Sequence, residues 1–199
     1  MQPLLFRTVY IGNETSQLEY HKKHLGIVEA CKRGDRKAQF ELYQLYSRAM
    51  FNICLRMVKN ELDAEDLLQN SFVDVFTKLH TFRSQSTIGA WIKRIVVNNC
   101  INFLKKRRLN FEMLDDRLEV KETTAASSEP QFSVEAINKA IFALPDGYRV
   151  VFSLYMIEGY DHQEIAAILG VSVATSKSQY SRAKKKLRDL LSGQMLQAT

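Results

Sequence analysis

The sequence is poor in residues that break helices, with three prolines and eight glycines among 199. Long alternations of apolar and polar residues are also missing, so strands have no support and a nearly all-helical (all-α) protein is predicted. No run of about 18 apolar residues occurs, which excludes a membrane-spanning helix. The N-terminus lacks a charged stretch leading into an apolar core and a small-residue cleavage site, so a cytoplasmic protein without a secretory signal is expected. The three cysteines, Cys31, Cys54 and Cys100, are widely spaced and odd in number. That excludes a disulfide framework and predicts three isolated, buried thiols in a reducing compartment. His21, His24 and Cys31 match no common zinc spacing, so no metal site is predicted. A Gly-rich phosphate loop, an HExxH motif and a triad-like nucleophile are all absent, and neither catalysis nor a cofactor is expected.

What is present is charge, unevenly placed. The formal net charge is +6. Residues 93–108 hold six basic side chains (Lys93, Arg94, Lys105, Lys106, Arg107, Arg108) and no acid, and residues 173–188 hold six more (Lys177, Arg182, Lys184, Lys185, Lys186, Arg188) and no acid. The rest of the chain carries 16 basic residues against 22 acids. Two positive segments on a mildly acidic body suggest a polyanion partner.

The stretch Asp63 to Arg108 organises the N-terminal part. Leu67, Leu68, Phe72, Val75, Phe76 and Leu79 recur at helical spacing and predict one amphipathic helix, with Asp63 as its N-cap. A polar loop follows. Ser86 or Thr87 opens a second helix whose buried face carries Ile88, Trp91, Ile92, Ile95 and Val96. Upstream, a short helix over 19–32 ends near Gly34. A longer one from Asp35 to about Asn60 sets Phe40, Tyr43, Tyr46, Met50, Ile53, Cys54 and Met57 on a packing face. The predicted organisation is an extension (1–18), a helical domain (19–108), a linker (109–130) and a second helical domain (131–199). The linker holds six acids and two bases and ends in a small, polar, aperiodic run, so it buries too little to offset the entropy of ordering.

In the second domain Ser133 is a good N-cap, and Phe132 can pack on Ile137 as a hydrophobic staple. Val134, Ile137, Ala140, Ile141 and Leu144 predict one short helix; Tyr148, Val151, Phe152, Tyr155 and Met156 predict another, stopped at Gly159. Asp161 to Glu164 is a capping-box pattern opening a helix that ends at Gly170, where a positive backbone angle is available. Ser172 caps a further helix to about Leu191, with Val173, Ser176, Tyr180, Ala183, Leu187 and Leu190 inward. Two helices about a glycine turn, with Ala166 and Ala167 at the crossing, form a helix-turn-helix. Thr175, Lys177, Ser178, Ser181 and Arg182 face outward and suit a major groove, where Arg182 can take a guanine edge.

Both constellations in this order resemble the sigma-70 family, specifically its short extracytoplasmic-function type. The resemblance rests on Asp63-x-Glu65-Asp66-Leu67-x-Gln69-x-x-Phe72, the Phe82-Arg83 loop and Trp91-x-x-x-Ile95-x-x-Asn98. It rests equally on Leu144-Pro145 leading to Ile165-Ala166 and Leu169-Gly170-Val171-Ser172. It implies a sigma2-like bundle and a sigma4-like helix-turn-helix joined by the acidic linker. Asp66, Gln69 and Asn70 would then dock on the beta-prime clamp helices of core RNA polymerase, with the beta flap as a further contact. Asn70 stands where an acid is common in the family. Phe82, Arg83, Ser84, Gln85, Ser86, Thr87, Ile95 and Asn98 would form the pocket for a flipped base of the −10 element, with Lys105 and Arg108 on upstream phosphates. Thr175, Lys177, Ser178, Ser181 and Arg182 match positions facing the −35 element. Here Ala174, Ser176 and Ser181 depart from the common pattern and leave promoter preference open. Promoter DNA and an anti-sigma factor are the other implied partners.

The residues alone also allow a stand-alone helix-turn-helix regulator with an N-terminal dimerisation or sensing unit. Such a protein would bind a palindromic duplex by itself.

Overall fold

A computed structural model describes residues 24–107 and 133–197, with side chains as far as residue 192. The extension, the whole predicted linker, Phe132 and Arg108 lie outside the described residues. The chain is all-α, with no strand among the described residues. Helix α1 covers 24–32. It is followed by α2 (Arg36–Val58), α3 (Glu61–Lys78), a 3-10 turn (Leu79–Thr81) and α4 (Ile88–Lys106). After the gap come α5 (Val134–Ala143), α6 (Asp146–Phe152) running into a π-helical turn (Ser153–Ile157), α7 (His162–Leu169) and α8 (Val173–Gln197). By packing, the chain divides into two units: the segment up to Met50 with Leu68–Val96, and Phe51–Leu67 with Val97 onward.

In the first unit Gly34 closes α1 at a φ of 85°. Asp35 then caps α2, its Oδ1 accepting from the backbone N–H groups of Lys37 (2.8 Å) and Ala38 (3.3 Å). Val28, Leu42, Phe72, Val75, Leu79 and Ile92 build the interior. Tyr43 meets Phe72 edge to face at 4.8 Å. His24 Nδ1 lies 2.6 Å from the Tyr46 hydroxyl, so this histidine is held by a phenol. Gly89 is required by space: a Cβ there would fall 2.8 Å from the Tyr46 ring. The predicted α2 stripe needs one correction, since Phe40 is 61% exposed. The inward face centres on Leu42, half-buried Tyr46 and Ile53, which places Phe40 roughly 140° away around the helix. Leu42 is the core residue the stripe left out.

A second correction concerns the start of α3. The helix begins at Glu61, and Asn60 is its cap, with Oδ1 accepting from the Asp63 N–H at 2.9 Å. Asp63 is a first-turn residue. Thr87 does cap α4, accepting from the Ala90 N–H at 3.2 Å.

In the second unit Cys54, Met57, Val97, Cys100, Ile101 and Leu104 are buried. The thiols are not all isolated: Cys100 Sγ lies 3.7 Å from Cys54 Sγ. That contact and burial push the Cys100 thiol up, and burial pushes Cys31 to about 11, so both stay protonated and unreactive. Ile141, Leu144, Tyr148, Phe152 and Ala183 form a core on which Met156, Tyr180, Leu187 and Leu190 pack. Ser133 caps α5 as expected. Val134 and Ile137 are exposed, because only the end of α5, at Ala140 and Ile141, turns inward. Val173 is likewise exposed in the first turn of α8, where buried Ser176 and Gln179 face inward. Helix α8 continues past the predicted end to Gln197.

Candidate nucleic-acid interface

The α7–α8 pair is built by short-range chemistry. Asp161 Oδ1 accepts from the N–H groups of Gln163 (2.7 Å) and Glu164 (2.8 Å), while Glu164 Oε2 accepts from the Asp161 N–H (2.9 Å), completing the capping box. Gly170 ends α7 at a φ of 74°, and its N–H and that of Val171 both donate to the Ala166 carbonyl. Ser172 Oγ then accepts from the Thr175 N–H at 2.9 Å and opens α8. Ile165, Ala166 and Leu169 are buried beneath the turn, whereas Ala167 is exposed and takes no part in the crossing.

One polar contact ties the two helices. His162 Nδ1 sits 2.9 Å from the Oγ of buried Ser176, and the imidazole stacks on Tyr155 at 4.4 Å. Burial, then the Lys177 charge, lowers the His162 pKa from its usual 6.5. A neutral ring is therefore favoured at this crossing, and it can accept from the serine hydroxyl.

Lys177, Ser178 and Ser181 are exposed along α8, with Lys184, Lys186 and Arg188 beyond them. Arg182 is half-buried. Thr175 is half-buried too, its hydroxyl 2.8 Å from Ser172 Oγ, so it belongs to the cap as much as to the outward row. The outward face carries hydroxyls and cations without a carboxylate, which fits phosphates and base edges.

The other sequence-derived candidates lie on α3, α4 and the loop between them. Arg83, Ser84, Gln85, Ser86 and Thr87 are all exposed, and Ser84 takes a left-handed φ of 56°. Phe82 is different. It is 4% exposed, its ring packs 5.6 Å from that of Trp91, and its carbonyl accepts from Lys32 Nζ. As placed it supports the loop and shows no ring face to a ligand. On α4, half-buried Trp91 and Ile95 and exposed Asn98 follow one another at four- and three-residue steps, hence along one side. Lys105 is exposed and donates to the Ile168 carbonyl at 3.3 Å. Arg107 pairs with Asp63 at 3.0 Å and lies over the Phe103 ring.

Asp66, Gln69 and Asn70 are exposed on α3. The sequence reading missed their apolar neighbours: Leu62 is 72% and Val73 65% exposed, at steps that place both beside Asp66 and Gln69. Their signal was available, because both fall outside the period of the buried leucines. Among the described residues no three His, Cys, Asp or Glu side chains gather to hold a metal, and no helix is long and apolar enough to cross a membrane.

Two family models match the chain, Sigma-70 region 2 over residues 42–109 and Sigma-70, region 4 over residues 135–187. Curated relatives include the ECF RNA polymerase sigma factor SigM of Bacillus subtilis, 28% identical over 152 residues (75% of this chain, 93% of the relative). SigW of the same organism, also named an ECF RNA polymerase sigma factor, is 27% identical over 177 residues (82% and 94%). Among solved structures, the sigma factor RpoE from Bartonella quintana, crystallised with the anti-sigma factor NepR, shares the fold. Its TM-score is 0.52 at 24% identity, covering 76% of this chain and 95% of that one.

Proposed function

The chain belongs to the sigma-70 family, as an RNA polymerase sigma factor of the extracytoplasmic-function type acting in transcription initiation, and from this premise we propose how its residues select a promoter. The observation that carries the proposal is the acid-free outward row of α8 behind a capped glycine turn. In this reading the row reads the −35 element: Arg182 and Lys177 supply cations, Ser178 and Ser181 hydroxyls, and Thr175 fixes the helix start.

The N-terminal part takes the −10 element once its strands part. Extruding a base costs about a few kcal/mol, which a pocket offsets by stacking and by hydrogen bonds to the pairing edge. The exposed Arg83–Thr87 loop and Asn98 supply the polar groups, Ile95 the apolar contact, and Phe82 the support beneath the loop. Lys105 and Arg108 hold flanking phosphates. Asp66, Gln69 and Asn70, with Leu62 and Val73 beside them, dock on core polymerase at the beta-prime clamp helices, and the beta flap holds the C-terminal domain. Domains 19–108 and 131–199 are the two readers, and the 109–130 linker lets polymerase set their separation. Affinity then rises through effective concentration. The polymerase catalyses; this chain chooses the start. An anti-sigma factor is a partner of the same class as the one crystallised with RpoE.

The test is promoter-directed transcription with purified core polymerase on a promoter library, alongside duplex binding by the chain alone. Selective initiation that requires both chain and core supports the reading. Tight, palindrome-specific duplex binding by a homodimer, with no gain from core, would overturn it in favour of a stand-alone regulator.

A further inference from the structure

The face of α8 assigned to the −35 element holds two side chains that neither donate nor accept a hydrogen bond. Val173 is 36% exposed, and Ala174 beside it is exposed as well. Their exposure follows from the way the helix is seated. Ser176, Gln179 and Ala183 are buried and fix the inward side of α8. At about 100° per residue, Ala174, Ser178 and Ser181 then fall within roughly 60° of one another on the opposite side. Val173 lies at the edge of that face, about 40° from Lys177. The capped start of the helix holds both in place: Ser172 Oγ accepts from the Thr175 N–H, and the Thr175 hydroxyl lies 2.8 Å from the same oxygen.

A lone valine or alanine on a surface needs no explanation. These two stand among Lys177, Ser178 and Ser181, in a row without a carboxylate. In a major groove an apolar side chain cannot pair with the N7 and O6 acceptors of guanine, nor with the amino groups of adenine and cytosine. Covering any of those groups strips it of water without replacing the lost hydrogen bond. Among the groups that the four bases present there, only the 5-methyl of thymine is apolar. Contact between that methyl and Ala174 or Val173 removes apolar surface from water on both partners. One buried methyl changes affinity about fourfold, little beside a set of phosphate contacts. Phosphates hold every sequence alike, however, so the methyl contact selects where the cations only grip.

We propose that Ala174 and Val173 are thymine readers, whose methyl groups meet thymine 5-methyl groups in the major groove of the −35 element. The chain then prefers thymine at the base pairs facing the start of α8, a preference that rests on the functional reading above for the identity of the DNA. Lys177, Ser178, Ser181 and Arg182 orient the helix and grip the duplex around these contacts.

The test removes one methyl at a time from the DNA. Holoenzyme made from the full chain and core polymerase first selects its −35 element from a promoter library. Each thymine of that element is then replaced by deoxyuridine, which keeps the pairing edge and lacks only the 5-methyl, and the two promoters compete in one reaction. Wild-type protein should lose about fourfold at one or two of these positions. Ala174→Gly and Val173→Ser should bring uracil level with thymine at the positions those residues face. The ratio is taken within each variant, so a weaker helix or a lower overall affinity cancels. Arg182→Ala should lower affinity for both promoters and keep their ratio. The thymine contact is overturned if the selected element holds no thymine, or if wild-type protein accepts uracil equally throughout. It is overturned as well if the loss persists in both variants, because the uracil effect then belongs to DNA shape. Should the chain select a duplex by itself with no gain from core, the functional reading falls, and the same uracil series on that duplex decides the thymine contact. No selected sequence in either setting overturns both.

Discussion

Arg149 carries a full charge in a place where water does not reach it, and its worth lies in what it leaves unsatisfied when removed. Arg149→Leu would strip the Arg56 and Met57 carbonyls of their donors and leave Asp146 without its closest partner. The expected loss of stability is about 3 kcal/mol, read from urea unfolding. Arg149→Lys should recover only a small part, because one ammonium cannot span carbonyls that a planar fork reaches together. His162 gives a residue-level prediction with a sign. Its folded pKa is lowered, so below about pH 6.5 the unfolded chain binds more protons than the folded one. Its contribution is therefore complete above that pH and declines as pH falls through the folded value. The thermal stability of the helix-turn-helix should drop between pH 7 and 5, and His162→Gln should flatten that dependence while keeping an acceptor for Ser176. An unchanged pH slope in the variant would remove His162 as the cause.

At the scale of the element, what the sequence announces is chemistry within four residues. The Asp161–Glu164 box, the Ser133 and Ser172 caps and the turn at Gly170 were all readable, since each needs only a side chain and the backbone beside it. Gly170→Ala should cost about 1 kcal/mol from the left-handed angle alone, for the nearest atom to the new methyl is a movable lysine end. Gly89→Ala is a different case in the same residue type. There the methyl would press on Tyr46, whose hydroxyl is tied to His24, so the loss should be about 1–3 kcal/mol by overpacking. Differential scanning calorimetry of the two variants separates the mechanisms: adding Tyr46→Phe, which frees the ring from His24, should relieve the second and leave the first untouched. The start of α3 was misread because Asn60 and Asp63 are both good caps. Only the reversal at Lys59, with a φ of 60°, decides between them.

At the scale of the whole molecule, periodicity told which faces are apolar but not what covers them. Phe82 and Ile95 were candidates for both wall and core; tertiary packing buried the first and half-buried the second. Arg149 and Arg56 are 93 residues apart, and no local pattern marks them as partners. The candidate DNA-facing rows were more legible, because exposure of Lys177, Ser178, Ser181 and Asn98 follows from helical phase once the buried residues are known. That legibility allows a prediction about coupling. If Arg182 reads the −35 element, Arg182→Ala should reduce initiation roughly 5- to 150-fold on a full promoter, the range of one good base contact. On a template with that element scrambled the substitution should cost nothing more. Asn98→Ala should behave oppositely, retaining its defect on the scrambled template and losing it only when the −10 base facing it is changed. Abortive-initiation assays on the three templates measure both variants. Equal defects for Arg182→Ala on intact and scrambled templates would mean that its side chain supports the fold of α8, and the outward row would have to be assigned elsewhere.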